Sequence, residues 1–445
     1  MPFRKSNPVA LLPLLLFLVI FIGAGVLFTL TGKEYAFYQV SATVAIFPAI
    51  ILAVFISREP LNGAIEKFMS GVGNPNIITM CMIYLLAGAF GTVARQVGCV
   101  ESTVNLGLAL IPSSLILPGL FVTSAFIATA MGTSMGTIAA IAPIAVGVAD
   151  RTGMGMALCV AAVAGGAMFG DNLSMISDTT IAATRTQDVE MKDKFRINLY
   201  IALPAAVITI VILYLLSGCG RSVSQGEFML IRVVPYILIL VMAAIGINVF
   251  VVLISGIIIT GIVGLATTGG YTILLFSQDI YKGFTGMQEI LILSLLIGGL
   301  GELIHHDGGI DYLIRCIRRI TSRFSKTGES RLAGEIGISS LVSLADICLA
   351  NNTVAIILTG RIARTIAEKN GVDPKRSASL LDIFSCVFQG LIPYGAQILL
   401  AGSIAKISPL EVIGRMHYCH VLGIVAVISI AAGYPGSLKK AAVSK

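Results

Sequence analysis

Runs of about twenty apolar residues, one after another, leave this chain few ways to fold. They cover 8–30, 38–57, 76–97, 155–187, 197–217, 230–247, 249–267, 287–305, 376–405 and 411–432. A helix of that length crosses the hydrocarbon core of a bilayer, and in hydrocarbon only helices and closed barrels satisfy their own backbone. The chain therefore reads as an all-α polytopic membrane protein forming a single membrane transport domain, 1–445. Composition agrees. Charged residues make up 12% of the chain, about half the share of a soluble domain, and 56% is hydrophobic, so there is too little polar surface to coat a globule. The first run follows Arg4 and Lys5, is long for a cleaved leader and ends in no small-residue cleavage site, so it reads as a retained helix.

Two further segments, 113–149 and 332–369, are apolar at both ends and polar in the middle. The first is interrupted by Gly132-Thr133-Ser134-Met135-Gly136-Thr137, the second by Asn351-Asn352-Thr353. Irregular backbone at membrane depth is tolerated where protein or a water-filled cavity surrounds it. Each segment is therefore expected to form a re-entrant hairpin; two spans apiece is the other reading.

The chain also repeats itself. LLAGAFGTVARQVGCVE (85–101) and LLIGGLGELIHHDGGID (295–311) align at an offset of 210 residues, pairing Gly88 with Gly298, Gly91 with Gly301 and Gly98 with Gly308. IEKFMSG (65–71) matches IYKGFTG (280–286), and Gly170 falls opposite Gly390. The expected halves are 1–217 and 230–432. With five spans and one hairpin in each, an odd number of crossings, the second half is inverted. Placing the N-terminus inside puts 22 of the 30 lysines and arginines in 1–7, 58–75, 185–196, 306–331, 361–376 and 433–445, all cytoplasmic. That asymmetry follows the positive-inside rule, so the net charge of +7 reports topology and not a nucleic-acid surface. Residues 101–112 and the arginine-bearing 311–326 read as surface-lying amphipathic pieces or ordinary loops. The eight cysteines are scattered, without CxxC or a histidine at ligand spacing, and read as apolar filler, neither disulfide nor metal.

One apolar run carries polar residues where hydrocarbon should be: GGAMFGDNLSMISDTT, 165–180. A carboxylate at mid-membrane is costly and defaults to a functional reading. Gly165, Gly166 and Gly170 are expected to break the helix there, and a helix resumed from Asn172 would set Ser174 and Asp178 on one face. Oxygen ligands beside freed carbonyls suit a hard cation such as Na+. The candidate ion ligands are Asp171, Asn172, Ser174, Asp178 and Thr179, with Na+ at Asp171, Asn172 and Asp178. A matching break is expected at Gln389-Gly390-Leu391-Ile392-Pro393-Tyr394-Gly395, where Pro393 removes a backbone donor. Thr133, Ser134, Thr137, Asn351, Asn352 and Thr353 would bring the hairpin tips to these breaks. Asp346, Asp382, Gln389 and Tyr394 are supporting candidates, Asp346 with a loop-arginine salt bridge as its plain structural reading. Glu302 lies near the expected cytoplasmic mouth; His305, His306 and Asp307 read as a solvated helix end more than a proton relay.

Gly170-Asp171-Asn172-Leu173-Ser174 followed by Ser177-Asp178-Thr179-Thr180 resembles the signature of NhaC-type sodium/proton antiporters, within the ion transporter superfamily. The resemblance implies exchange of cytoplasmic Na+ for external H+. Asn351-Asn352-Thr353 is also similar to the Ser-Asn-Thr hairpin tips of divalent-anion/sodium symporters. The alternative is a Na+- or H+-coupled carrier of an amino acid or small organic acid. No nucleophile with a base and no metal cluster is apparent, so an enzyme is not expected, and internal breaks in two halves suit alternating access better than a pore. Na+, H+ and the bilayer are the expected partners, a small organic solute and a homodimer are left open, and no cofactor is expected. The expected location is a bacterial cytoplasmic membrane with both termini inside.

Overall fold

The computed structural model describes residues 6–31, 39–110, 112–217, 226–313, 315–316 and 330–434, and every regular element among them is a helix. The first half holds α1 (Leu12–Leu30), α2 (Ala42–Ala45), α3 (Phe47–Ile56), α4 (Leu61–Val72), α5 (Pro75–Val97), α6 (Cys99–Leu110), α7 (Ile116–Met131), α8 (Ser134–Thr152), α9 (Met156–Leu173), α10 (Asp178–Gln187) and α11 (Met191–Leu216). The second holds α12 (Leu230–Ala244), α13 (Val249–Thr267), α14 (Ile273–Gly286), α15 (Gln288–His306), α16 (Arg331–Leu349), α17 (Asn352–Lys369), α18 (Pro374–Gln389), α19 (Ala396–Ala405), α20 (Pro409–Gly414) and α21 (His417–Ala432). Large apolar side chains such as Phe55, Leu215 and Ile245 stay exposed, as they do on a surface made for lipid. Most of 311–326, with Arg318, Arg319 and Arg323, lies outside the described residues, as does most of the link between the halves.

Both polar-tipped segments fold as helical hairpins. α7 ends on Gly132 in the left-handed region, and the Thr133 hydroxyl caps α8 by accepting from Gly136 N at 3.4 Å. α16 ends on Ala350 in the same conformation, and Asn351 Oδ1 caps α17 by accepting from Val354 N at 3.0 Å. The polar residues at each tip are thus helix stop and start signals as well as candidate ligands.

Left-handed residues recur in register along the chain. Gly98 pairs with Gly308 at an offset of 210; Gly132 with Ala350, Gly153 with Gly371 and Asp188 with Lys406 at 218. The spacing from Gly308 to Ala350 is eight residues longer than that from Gly98 to Gly132. Residues at the same offset also touch: the Ser294 hydroxyl donates to Tyr84 Oη at 3.3 Å, and Cys81 Sγ lies 3.8 Å from the Leu291 carbonyl, each pair 210 residues apart. α4 packs on α15 and α14 on α5, a reciprocal exchange. α4, within the expected cytoplasmic piece 58–75, and α14 add helices that the apolar runs did not include; each is too short and too polar to appear as one.

The glycines of 165–170 have a different role from the expected one. α9 runs unbroken through them to Leu173, and the interruption comes at 174–177. A Cβ on Gly166 would sit 2.2 Å from the Phe121 carbonyl oxygen, and one on Gly170 2.3 Å from that of Ala125. These glycines let the backbones of α7 and α9 touch, as small residues do between membrane helices. Gly166→Ala is expected to destabilise the protein by about 1–3 kcal/mol through overpacking. Thermal unfolding in detergent measures it, and an unchanged midpoint would mean the two helices do not approach this closely.

Candidate functional site

Two segments of 32 residues, 156–187 and 374–405, are each interrupted near the middle. In the first, Ser174 N bonds back to the Asp171 carbonyl at 3.2 Å, the chain extends, and Ser177 caps α10 by accepting from Thr180 N at 3.3 Å. The Thr180 hydroxyl then donates to the Ser174 carbonyl at 2.7 Å and that of Ser177 to the Asp171 carbonyl at 3.4 Å. Carbonyls left over by the break are thus met locally by hydroxyls. In the second, α18 stops at Gln389 and α19 starts at Ala396, with Pro393 and Gly395 between.

Both tips meet both breaks around a cavity of about 80 Å³, roughly the share of two to three waters at ~30 Å³ each. A hydrogen-bonded chain crosses it. The Ser134 hydroxyl at the first tip donates to Asp171 Oδ2 at 3.1 Å. Gln397 Nε2 of α19 donates to Ser134 Oγ at 3.1 Å, and Gln389 Nε2 donates to Gln397 Oε1 at 3.0 Å and to the Ala350 carbonyl at 3.3 Å. Gln389 Oε1 is buried without a hydrogen-bond partner. An orphaned amide oxygen near a carboxylate, with hydroxyls and amides around it, is an acceptor-rich lining that suits a small hard cation.

Of the residues singled out by sequence, Asp171, Asp178, Thr179, Thr133, Ser134, Asn351, Asn352, Thr353 and Gln389 line this cavity. Asp178 lies at its exposed edge. The others do not line it. Asn172 turns away, its amide donating to the Tyr418 hydroxyl at 3.0 Å, which removes its side chain from the expected Na+ ligands. Ser174 donates to the Thr129 carbonyl at 3.0 Å and Thr137 to that of Thr133 at 3.0 Å. Ser174 and Asp178 fall on opposite sides of the break and share no helix face. Tyr394 donates to the Ile347 carbonyl at 2.7 Å and packs edge-on against Phe17. Asp346 is buried in α16 with neither carboxyl oxygen hydrogen-bonded, and no arginine pairs with it among the described residues. At the end of α15, Glu302 lies 3.9 Å from His305, and His306 lies 3.6 Å from Glu59.

Asp382 is placed behind the site, and its partner was missed. The Lys194 ammonium, fully buried, lies 2.8 Å from Asp382 Oδ2, 2.9 Å from the Asn172 carbonyl and 2.7 Å from Thr180 Oγ1. Asn198 Nδ2 donates to Asp382 Oδ2 at 2.7 Å and to the Asn172 carbonyl at 2.8 Å. The clamp holds α11 and α18 against both sides of the first break. By charge counting Lys194 is a cytoplasmic loop residue; Asn198 one turn further on was the available signal, since a polar pair at i and i+4 entering an apolar run has a shared partner to find. Arg376, also counted as a loop charge, is buried against Glu335 at 3.0 Å. Gln397, Asn76 and Thr79 line the cavity and were likewise missed, having no charge to mark them in an apolar helix.

Residues 5–219 match the profile of the Na+/H+ antiporter family. The chain is similar to the malate-2H(+)/Na(+)-lactate antiporter of Bacillus subtilis (strain 168), 25% identical over 431 residues, 89% of each chain. It is similar to the Na(+)/H(+) antiporter NhaC of the same organism, 24% identical over 412 residues, 84% of this chain and 86% of that one. The NhaC of Alkalihalophilus pseudofirmus is 24% identical over 387 residues, 80% of this chain and 81% of its own. The motif around Asp171 falls inside the matched segment, and the relatives run on through the second half. The chain is a multi-pass membrane transport protein that matches the Na+/H+ antiporter family over its first half and is similar to named antiporters over most of its length.

Proposed function

We propose that this protein exchanges cytoplasmic Na+ for external H+ at the cavity beside Asp171. The observation that carries the reading is the chain Asp171–Ser134–Gln397–Gln389–Ala350, which draws together both tips and both breaks around one carboxylate. Na+ would bind Asp171 with neutral oxygens, Gln389 Oε1 among them, and a proton would replace it on the same carboxyl. Only one of the two can neutralise the charge at a time, which makes the exchange obligatory.

Alternating access would come from two inverted repeats, 1–217 and 230–432. Support comes from the paired left-handed residues and the reciprocal packing of α4 and α14. The tips touch breaks lying midway along 32-residue segments, which favours hairpins that enter and return over arms that cross. The distribution of basic residues supports an orientation with both termini on the cytoplasmic side, in keeping with a bacterial cytoplasmic membrane.

A second reading, a carrier that couples Na+ or H+ to a small organic acid, is favoured by the similarity to a protein named as a malate and lactate antiporter. Reconstituted protein separates the two. Added Na+ is expected to drive protons out of loaded liposomes with no organic solute present. A response that appears only with a carboxylate or an amino acid would establish the carrier and reject simple antiport.

A further inference from the structure

A second cavity, of about 280 Å³, lies between α5, α8, α14 and α19. Three cationic side chains, Arg95, Lys282 and Lys406, line it, with Thr92, Gln96 and Ser403 as neutral hydrogen-bonding neighbours. Lys282 is compensated: its ammonium is 3.3 Å from Asp279 Oδ1, and Asp279 Oδ2 accepts from the Tyr271 hydroxyl at 3.1 Å. Among the described residues no carboxylate pairs with Arg95 or Lys406. The wall thus carries two uncompensated positive charges.

Neither topology nor fold demands them. In the topology proposed above, basic residues are scarce outside, eight in all, yet three of those eight meet at this cavity. The internal repeat supplies an independent comparison. At the offsets of 210 and 218, Thr92 corresponds to Glu302, Arg95 to His305 and Lys406 to Asp188, so one of the two unpaired cations has an acid as its counterpart in the opposite half. Lys406 and Asp188 even share the same left-handed conformation at the end of corresponding helices. The architecture therefore accepts either sign at Lys406, and this side of the molecule carries the positive one.

We propose that this cavity is a binding site for a small dicarboxylate anion on the outer face. Arg95 and Lys406 are exposed to water, and two unpaired cations facing one cavity suit a ligand with two negative charges. The Arg95 guanidinium suits a bidentate grip on one carboxylate, and the Lys406 ammonium a single contact with the other. The volume equals the share of about nine waters at ~30 Å³ each, room for a four-carbon diacid with a few waters. The outer placement rests on the topology of the proposed antiporter; the binding itself needs no Na+.

The test uses the full chain in nanodiscs of zwitterionic lipid and follows thermal unfolding with N-methylglucamine salts of succinate, acetate and chloride at matched ionic strength. Excluding Na+ keeps a failure here separate from a failure of the ion site. Succinate is expected to raise the midpoint saturably, acetate and chloride not. The R95Q/K406Q double variant is expected to lose that rise, and R415Q, altered at an outer basic residue away from the cavity, to keep it. No rise with succinate, or a rise that survives in R95Q/K406Q, overturns the proposal. So does a midpoint raised only by adding phosphatidylglycerol to the disc, which would make the occupant a lipid headgroup.

Discussion

Asp171→Asn is expected to reduce Na+-dependent proton release from proteoliposomes to the level of empty vesicles. Asparagine keeps the shape and can still accept from the Ser134 hydroxyl, yet it can neither bind a proton nor present a negative charge to Na+. Both half-reactions fail together, whereas a residue that only shapes the cavity would weaken one of them. Thermal unfolding of the variant should match the parent, because no ion pair is lost with the charge: none is present at Asp171 among the described residues. Ser134→Ala gives a graded control. It removes one hydrogen bond to a carboxylate, about 1.5–3 kcal/mol, or roughly ten- to a hundredfold in apparent Na+ affinity. Exchange at the parental rate in the asparagine variant would remove Asp171 from the ion path.

The second large effect concerns Lys194 and is one of stability. Lys194→Ala leaves Asp382 buried with only Asn198 beside it, and strips the Asn172 carbonyl and Thr180 of a shared donor. Breaking a buried pair from one side typically costs about 3–5 kcal/mol, mostly for the charge left behind. The midpoint in detergent should therefore fall by many degrees. Replacing both partners, Lys194→Met with Asp382→Leu, should recover much of that loss, since neither charge then needs a partner. If the single and double variants unfold alike, the pair is not what holds the break, and the two tethers from Asn198 are.

Many of the apolar helices, the two polar tips and the location of the second break were legible in sequence because each leaves a one-dimensional trace: apolar length, interrupted apolar length, and a proline. Asp171 was legible because a carboxylate inside an apolar run is conspicuous. The first break was misplaced by several residues because glycine is ambiguous in a membrane helix. It can loosen a backbone or admit a neighbouring one, and at Gly166 and Gly170 it does the second. Asn172 and Asp178 show a related limit: adjacency in a motif does not fix side-chain direction once the helix ends between them. Lys194 was hidden by position, since a lysine at the head of a span counts as topology until its partner on a distant helix is known. Gln397 was hidden by chemistry, a neutral polar residue in an otherwise apolar turn.

The hydrogen-bonded path from Asp171 to the Ala350 carbonyl has a consequence for motion. Its members belong to four separate segments, so no tip or half-helix can swing away alone without uncoupling the carboxylate from its neighbours. The cheapest displacement carries all four together as one block and shears it along the remaining wall of the cavity, where α5 presents Asn76, Thr79, Met80 and Ile83. That wall makes no link in the path, and in the proposed exchange it is where a passage to water would open and shut while the cargo stays held.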